Sequence, residues 1–125
     1  MTTVLLVDDD AALTHVIAEA LQLQLAEREL QVHAVPGWEG ALRVAEEVGT
    51  IDVLVVDYHL GPHTGIELFR DLSARFPAMR PLLYTGKATA SVEAEARASG
   101  IPVLWKPQRL DALTRAVRSL IDGVS

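Results

Sequence analysis

IDVLVVD, residues Ile51–Asp57, is the stretch on which the fold turns. Near-continuous Val and Leu over the length of one strand predicts burial on both faces, the condition of a parallel sheet covered by helices. Asp57 closes the run. Two other short apolar runs stop on charge in the same way: Val4–Val7 leads into Asp8 and Asp9, and Val103–Trp105 leads into Lys106. If each run is a strand, three carboxylates and one ammonium meet outside the carboxyl ends of parallel strands, where open α/β sheets bind their ligands. That set of charges suits phosphoryl transfer.

On either side of this stretch, strand-length apolar runs alternate with segments of helical spacing, the pattern of βαβ units. Five such pairs are expected. The helix after Val4–Val7 is predicted over Ala11–Arg28 from the recurrence of Leu13, Val16, Ile17, Ala20, Leu21 and Leu25, with Asp10 as its N-cap. An edge strand near Gln31–Val35 and a helix over Trp38–Val48 come next. Gly61, Pro62 and Gly65 predict a loop before a helix over Ile66–Arg75, and Pro77 and Pro81 bracket a turn into a strand at Leu82–Tyr84. The helix expected over Ala88–Ser99 has only Val92 as a large apolar residue, so it should be thinly anchored, and Gly100 is its expected stop. Leu110, Leu113, Val117, Leu120 and Ile121 mark the buried face of a closing helix.

Composition narrows the function classes. A chain of 125 residues, half of them hydrophobic, can bury one core, and residues 1–125 read as a single domain with no effector domain. No apolar run approaches the roughly 18 residues of a membrane span, and acids at Asp8 exclude a signal peptide, so a soluble cytoplasmic protein without membrane contact is expected. The absence of cysteine removes disulfides, thiolate zinc sites and cysteine nucleophiles. A formal charge of −6 argues against direct nucleic-acid binding, which needs clustered Lys and Arg.

A carboxylate behind four consecutive buried aliphatics is desolvated unless a cation partners it. For Asp57 the candidates are Lys106 and Mg²⁺, a hard cation that takes carboxylate and carbonyl oxygens while keeping waters. Asp57 would then be a nucleophile that attacks phosphorus in line and forms an acyl phosphate. Asp8 and Asp9 would hold the metal, Lys106 would place a compact charge on a second phosphoryl oxygen, and the Thr85 hydroxyl would donate to a third. Gly86 leaves backbone room for that approach. Taken alone, Asp8-Asp9-Asp10 would equally suit a strand-to-helix turn with a capping acid.

Over essentially its full length the chain resembles the receiver domain of two-component response regulators. The acidic pair of that family falls on Asp8 and Asp9, its phosphoacceptor on Asp57, its Thr or Ser on Thr85, and its Lys-Pro on Lys106 and Pro107. The resemblance implies a doubly wound five-stranded parallel sheet of order 2-1-3-4-5 flanked by five helices. It implies the main-chain carbonyl of His59 as the third protein ligand of Mg²⁺, a cis Lys106–Pro107 bond, and a histidine kinase or histidine phosphotransfer protein as phosphodonor, docked on the first helix near Ala12 and Val16. It also implies a domain that catalyses only its own phosphorylation and dephosphorylation, with an unnamed output protein partner and room for a homodimer. Output is expected on the face of the fourth helix, fifth strand and fifth helix, where Trp105, Arg109 and Arg115 lie.

Two departures stand out. The family usually carries Tyr or Phe three residues before the lysine, and this chain has Val103 there; Gly61-Pro62 also replaces the family's more usual single proline after Met or Leu. His59 and His63 have a helical metal spacing, but Gly61 and Pro62 between them forbid the helix, so both are expected in a loop. His15 is expected at the surface of the first helix. Two other classes compete. In a phosphatase resembling the haloacid dehalogenases, Asp8 would attack and Asp10 would be the acid, but Ala12 breaks that pattern and no late acidic metal pair follows Lys106. A phosphorylation-independent interaction module would have no physical need for buried acids beside a lysine.

Overall fold

Aliphatic side chains alternate across both faces of the central strands, and helices cover each face. The computed structural model describes residues 1–86, 89–106 and 109–123. In chain order these form β1 (Thr2–Val7), α1 (Ala11–Gln24), a 3₁₀ turn (Ala26–Arg28), β2 (Leu30–Val35), α2 (Trp38–Val48), β3 (Val53–Val56), β4 (His59–Leu60), β5 (His63–Thr64), α3 (Gly65–Arg75), β6 (Arg80–Thr85), α4 (Ala90–Ala98), β7 (Val103–Trp105) and α5 (Leu110–Asp122). Five strands make a wholly parallel sheet in the order β2-β1-β3-β6-β7, and β4 and β5 form a separate antiparallel ladder. Numbered among the sheet's own strands, the order is 2-1-3-4-5, the expected doubly wound α/β arrangement.

The period of two along each strand sorts the core into two layers. Leu5, Val7, Leu54, Val56 and Leu83 pack with Ala41, Ala45, Ile66, Leu72 and Ala96 of α2, α3 and α4. Val4, Leu6, Val53, Val55, Leu82 and Tyr84 pack with Ile17, Leu21, Leu113 and Val117 of α1 and α5. Among the described residues no helix is long and apolar enough to cross a membrane.

Several boundaries differ from expectation, each for a local reason. β3 begins at Val53 rather than Ile51 because Asp52 is spent on β1: its N–H donates to the Thr3 carbonyl at 2.9 Å, and its Oδ2 accepts from the Thr3 N–H at 2.8 Å. α1 ends at Gln24 rather than Arg28, and Glu29, at φ 52°, stops the 3₁₀ turn that follows. Helix ends need partners for their last carbonyls, and here α5 supplies one for Gln24. Arg118 donates to the Gln24 carbonyl at 2.9 Å and to Glu27 at 2.6 Å, while Arg28 pairs with Asp122 at 2.9 Å.

Asp10 caps α1, accepting the Leu13 N–H at 3.0 Å. α4 buries only Val92 and Ala96, so it is as thinly anchored as its sequence implies, with Gly100 at φ 72° just past its end. Ala88, the expected first residue of that helix, lies outside the described residues. His59 and His63, expected in a loop, instead sit on the facing strands β4 and β5. Gly61, at φ 66°, lets the chain reverse in the two residues between them.

Candidate functional site

Sheet register assembles the charged residues. Val7 lies beside both Val35 and Val56, so Asp8 and Asp57 leave the sheet side by side. The Asp57 N–H donates to the Val7 carbonyl at 3.0 Å, and the Asp8 N–H to the Val35 carbonyl at 3.1 Å. Thr85 pairs with Trp105 at the end of β6, and the Lys106 N–H donates to the Thr85 carbonyl at 2.9 Å. Four of the five strands of the sheet, β1, β3, β6 and β7, therefore deliver a polar residue to one rim.

Carboxylate oxygens of Asp8, Asp9 and Asp57 lie within 4.8 Å of one another. Asp8 is buried, Asp57 half-buried and Asp9 exposed. Lys106 Nζ is 2.5 Å from Asp8 Oδ2 but 3.9 Å from Asp57 Oδ2. The lysine expected to serve Asp57 thus makes its close contact with Asp8. Their side chains are 9% and 17% exposed, and the carboxylate with less water has the greater need of a counter-charge. The Lys106 ammonium also sits 5.4 Å from the centre of the Tyr84 ring, a cation–π placement that sequence reasoning missed.

Backbone donors orient both acids. Asp8 Oδ1 accepts the Asp10 N–H at 3.0 Å, and Asp57 Oδ1 accepts the Tyr58 N–H at 2.8 Å. An ionised carboxylate has about four lone-pair positions, so each retains capacity for a further ligand. Three carboxylates against one ammonium leave the cluster negative, and an all-oxygen donor set is what a hard divalent cation takes. The residues present fit Mg²⁺.

Asp10 stands apart, exposed and occupied at the start of α1, so the Asp8/Asp10 pair that a phosphatase-like mechanism would need is not assembled as attacker and acid. Thr85 is completely buried at the end of β6. A Cβ on Gly86 would lie 3.5 Å from Lys106 Cβ, an ordinary contact. His59 opens β4 two residues beyond Asp57, and His63 stacks on Trp38 with ring centres 4.4 Å apart. Neither histidine side chain joins a cluster of metal-ligating side chains among the described residues. His15 is exposed on α1 and pairs with Glu19 at 3.0 Å. Pro107, and with it the Lys106–Pro107 bond, lies outside the described residues.

Two further residues shape the site without any sequence cue beyond their position. A Cβ on Gly65 would fall 2.2 Å from the Asp57 carbonyl oxygen, and the Gly65 N–H donates to the Tyr58 carbonyl at 2.7 Å. This is glycine used for close backbone approach. Gly65→Ala should force the Asp57–Tyr58 backbone to move and lower stability by about 1–3 kcal/mol, the usual range for overpacking, read from the denaturant midpoint. Tyr58 donates its hydroxyl to Glu95 Oε1 at 3.1 Å. Burial, then the Glu95 hydrogen bond, pushes its phenol above the ordinary value, so it remains a donor through the neutral range.

The sequence profile of the response regulator receiver domain matches residues 4–118. Regulatory protein VirG of Agrobacterium tumefaciens (strain 15955) is 42% identical over 72 residues, which are 58% of this chain and 25% of that protein. The chain spans about a quarter of the length of the curated relatives it matches. Among solved structures, a CheY-like receiver domain protein from Methanospirillum hungatei JF-1 superposes with a TM-score of 0.87 at 20% identity, over 98% of this chain and 95% of that one. A BeF3-activated DrrB receiver domain superposes with a TM-score of 0.83 at 21% identity, over 98% of each chain. These two likenesses establish the fold. With its sheet order, its acidic rim and a profile match from residue 4 to residue 118, the chain belongs to the response regulator receiver domain family of two-component signalling.

Proposed function

We propose that this chain is a Mg²⁺-dependent switch that accepts a phosphoryl group on Asp57 from the phosphohistidine of a histidine kinase or histidine phosphotransfer protein. The observation that carries the reading is the convergence of Asp8, Asp9 and Asp57 within 4.8 Å beside the Lys106 ammonium. In the transfer, an Asp57 carboxylate oxygen attacks phosphorus, the phosphorus–nitrogen bond to the donor imidazole breaks, and its electron pair stays on the histidine. Asp57 is half-buried at the rim and oriented by the Tyr58 N–H, so its free oxygen is positioned before the donor arrives.

Asp8, Asp9, Asp57 and the His59 carbonyl would hold Mg²⁺. When bound, the cation would offset the repulsion between these carboxylates and the phosphoryl oxygens. Lys106 supplies a fixed positive charge on the other side, and the Thr85 hydroxyl a neutral donor. Asp57 then returns by hydrolysis of the acyl phosphate, so the domain catalyses only its own phosphorylation cycle. The donor would dock over the exposed part of α1, where Ala12 is exposed and Val16 is 44% exposed. Output would use α4, β7 and α5, where Trp105, Arg109 and Arg115 are exposed.

The test is incubation with a small-molecule phosphodonor, with and without Mg²⁺, read by intact mass. One phosphoryl group per chain, gained only with the metal, is the expected result. Metal-independent labelling, or none with any donor including a phosphorylated phosphotransfer protein, would overturn the reading.

A further inference from the structure

We propose that the Tyr58–Glu95 hydrogen bond couples the state of Asp57 to α4, holding the helix in its unphosphorylated position. This rests on Asp57 being the phosphoacceptor. Tyr58 is the residue through which the acceptor's surroundings can reach the helix. Its N–H binds Asp57 Oδ1 at 2.8 Å, its carbonyl accepts the Gly65 N–H at 2.7 Å, and its hydroxyl donates to Glu95 Oε1 at 3.1 Å. One residue therefore touches the reacting carboxylate with its backbone and α4 with its side chain.

α4 is a thinly anchored helix. Its buried apolar anchors are Val92 and Ala96, and among the described residues its other polar tie to the neighbouring layer is Arg70 donating to Ser99 at 2.8 Å, just past the helix end. Glu95 has no ion-pair partner among the described residues, so its carboxylate is committed to the Tyr58 hydroxyl. The tyrosine ring is itself half-buried against the α2–α4 side of the core, which limits how far it can move independently of its backbone. A phosphoryl group on Asp57 changes the acceptor that the Tyr58 N–H sees, and the stiff ring carries any resulting backbone shift to Glu95. Val103, in the strand beside β6, is aliphatic and offers no hydroxyl for the same task. A bond formed in one state and lost in the other biases the equilibrium between them.

The test is a titration with beryllofluoride and Mg²⁺, a stable mimic of the phosphoryl group, combined with amide exchange of residues 90–98. Tyr58→Phe removes one oxygen and keeps the ring, so folding is preserved; Glu95→Ala removes the acceptor from a half-exposed helix position. Each variant should bind the mimic about three- to tenfold more tightly than wild type, the shift that a single hydrogen bond can hold. The double variant should gain no more than either alone, and Glu95→Gln, which keeps an acceptor, should stay near wild type. Without the mimic, α4 amides should exchange faster in Tyr58→Phe. Wild-type affinity and unchanged α4 exchange in both single variants would overturn the coupling alone, as would fully additive gains in the double variant. Failure of the wild-type chain to bind the mimic would overturn the acceptor reading and the coupling with it.

Discussion

Asp57→Asn is expected to abolish Mg²⁺-dependent phosphorylation, lowering the rate of label uptake by at least about a hundredfold. An amide oxygen is a far weaker nucleophile than a carboxylate, and of the two acids that directly follow the buried strands β1 and β3 only Asp57 keeps an oxygen without a close hydrogen-bond partner at the rim. Asp8 is buried, with Lys106 on one oxygen and the Asp10 N–H on the other. The same variant should fold at least as stably as wild type, because it removes one of three clustered like charges. A thermal melt beside the labelling assay separates the two effects: loss of label with an unchanged or raised midpoint assigns the defect to chemistry. Label retained in Asp57→Asn would place the acceptor elsewhere.

Lys106→Ala should produce opposite changes in two measurements. Phosphorylation should slow by about 10²–10³-fold, the usual effect of removing one fixed charge from a transition state. Mg²⁺ should bind more tightly, because the ammonium 2.5 Å from Asp8 Oδ2 and 3.9 Å from Asp57 Oδ2 repels the cation and occupies a carboxylate oxygen. Without metal, the variant should lose about 1–3 kcal/mol of stability, the penalty of leaving a buried acid without its partner, and added Mg²⁺ should restore part of it. Stopped-flow labelling, a Mg²⁺ titration and paired melts check these three signs. Weaker Mg²⁺ binding in Lys106→Ala would show that the lysine helps to build the metal site.

The parts of this molecule that were readable from its sequence are those with a local cause. Val53–Val56 reads as a doubly covered strand because every residue in it is apolar and every one is buried. The rim of acids was legible for a related reason: a charge at the end of a buried strand is placed by topology, and topology follows from alternating strands and helices. Asp10 as a cap and Gly100 as a stop depend only on residues within a turn of them.

What was not legible depends on distances between remote segments. The choice of Asp8 over Asp57 as the close partner of Lys106 reflects which carboxylate is more buried. The early end of α1 depends on Arg118, 94 residues away from Gln24. Gly65 looked like an ordinary loop glycine, yet it is needed because a backbone carbonyl passes where its side chain would stand. The Tyr58–Glu95 bond joins residues 37 apart across two elements. His59 and His63 were read correctly as unable to share a helix, but the two-residue reversal at Gly61 and Pro62 that pairs them in a ladder left no periodic trace.

The most direct measurement chemically fixes the label where it forms. After phosphodonor treatment with Mg²⁺, borohydride reduces an acyl phosphate to an alcohol, converting a phosphorylated aspartate to homoserine that peptide sequencing by mass spectrometry can locate. Homoserine is expected at position 57, dependent on both donor and metal. Homoserine at position 8, or a label that borohydride leaves untouched, would contradict it.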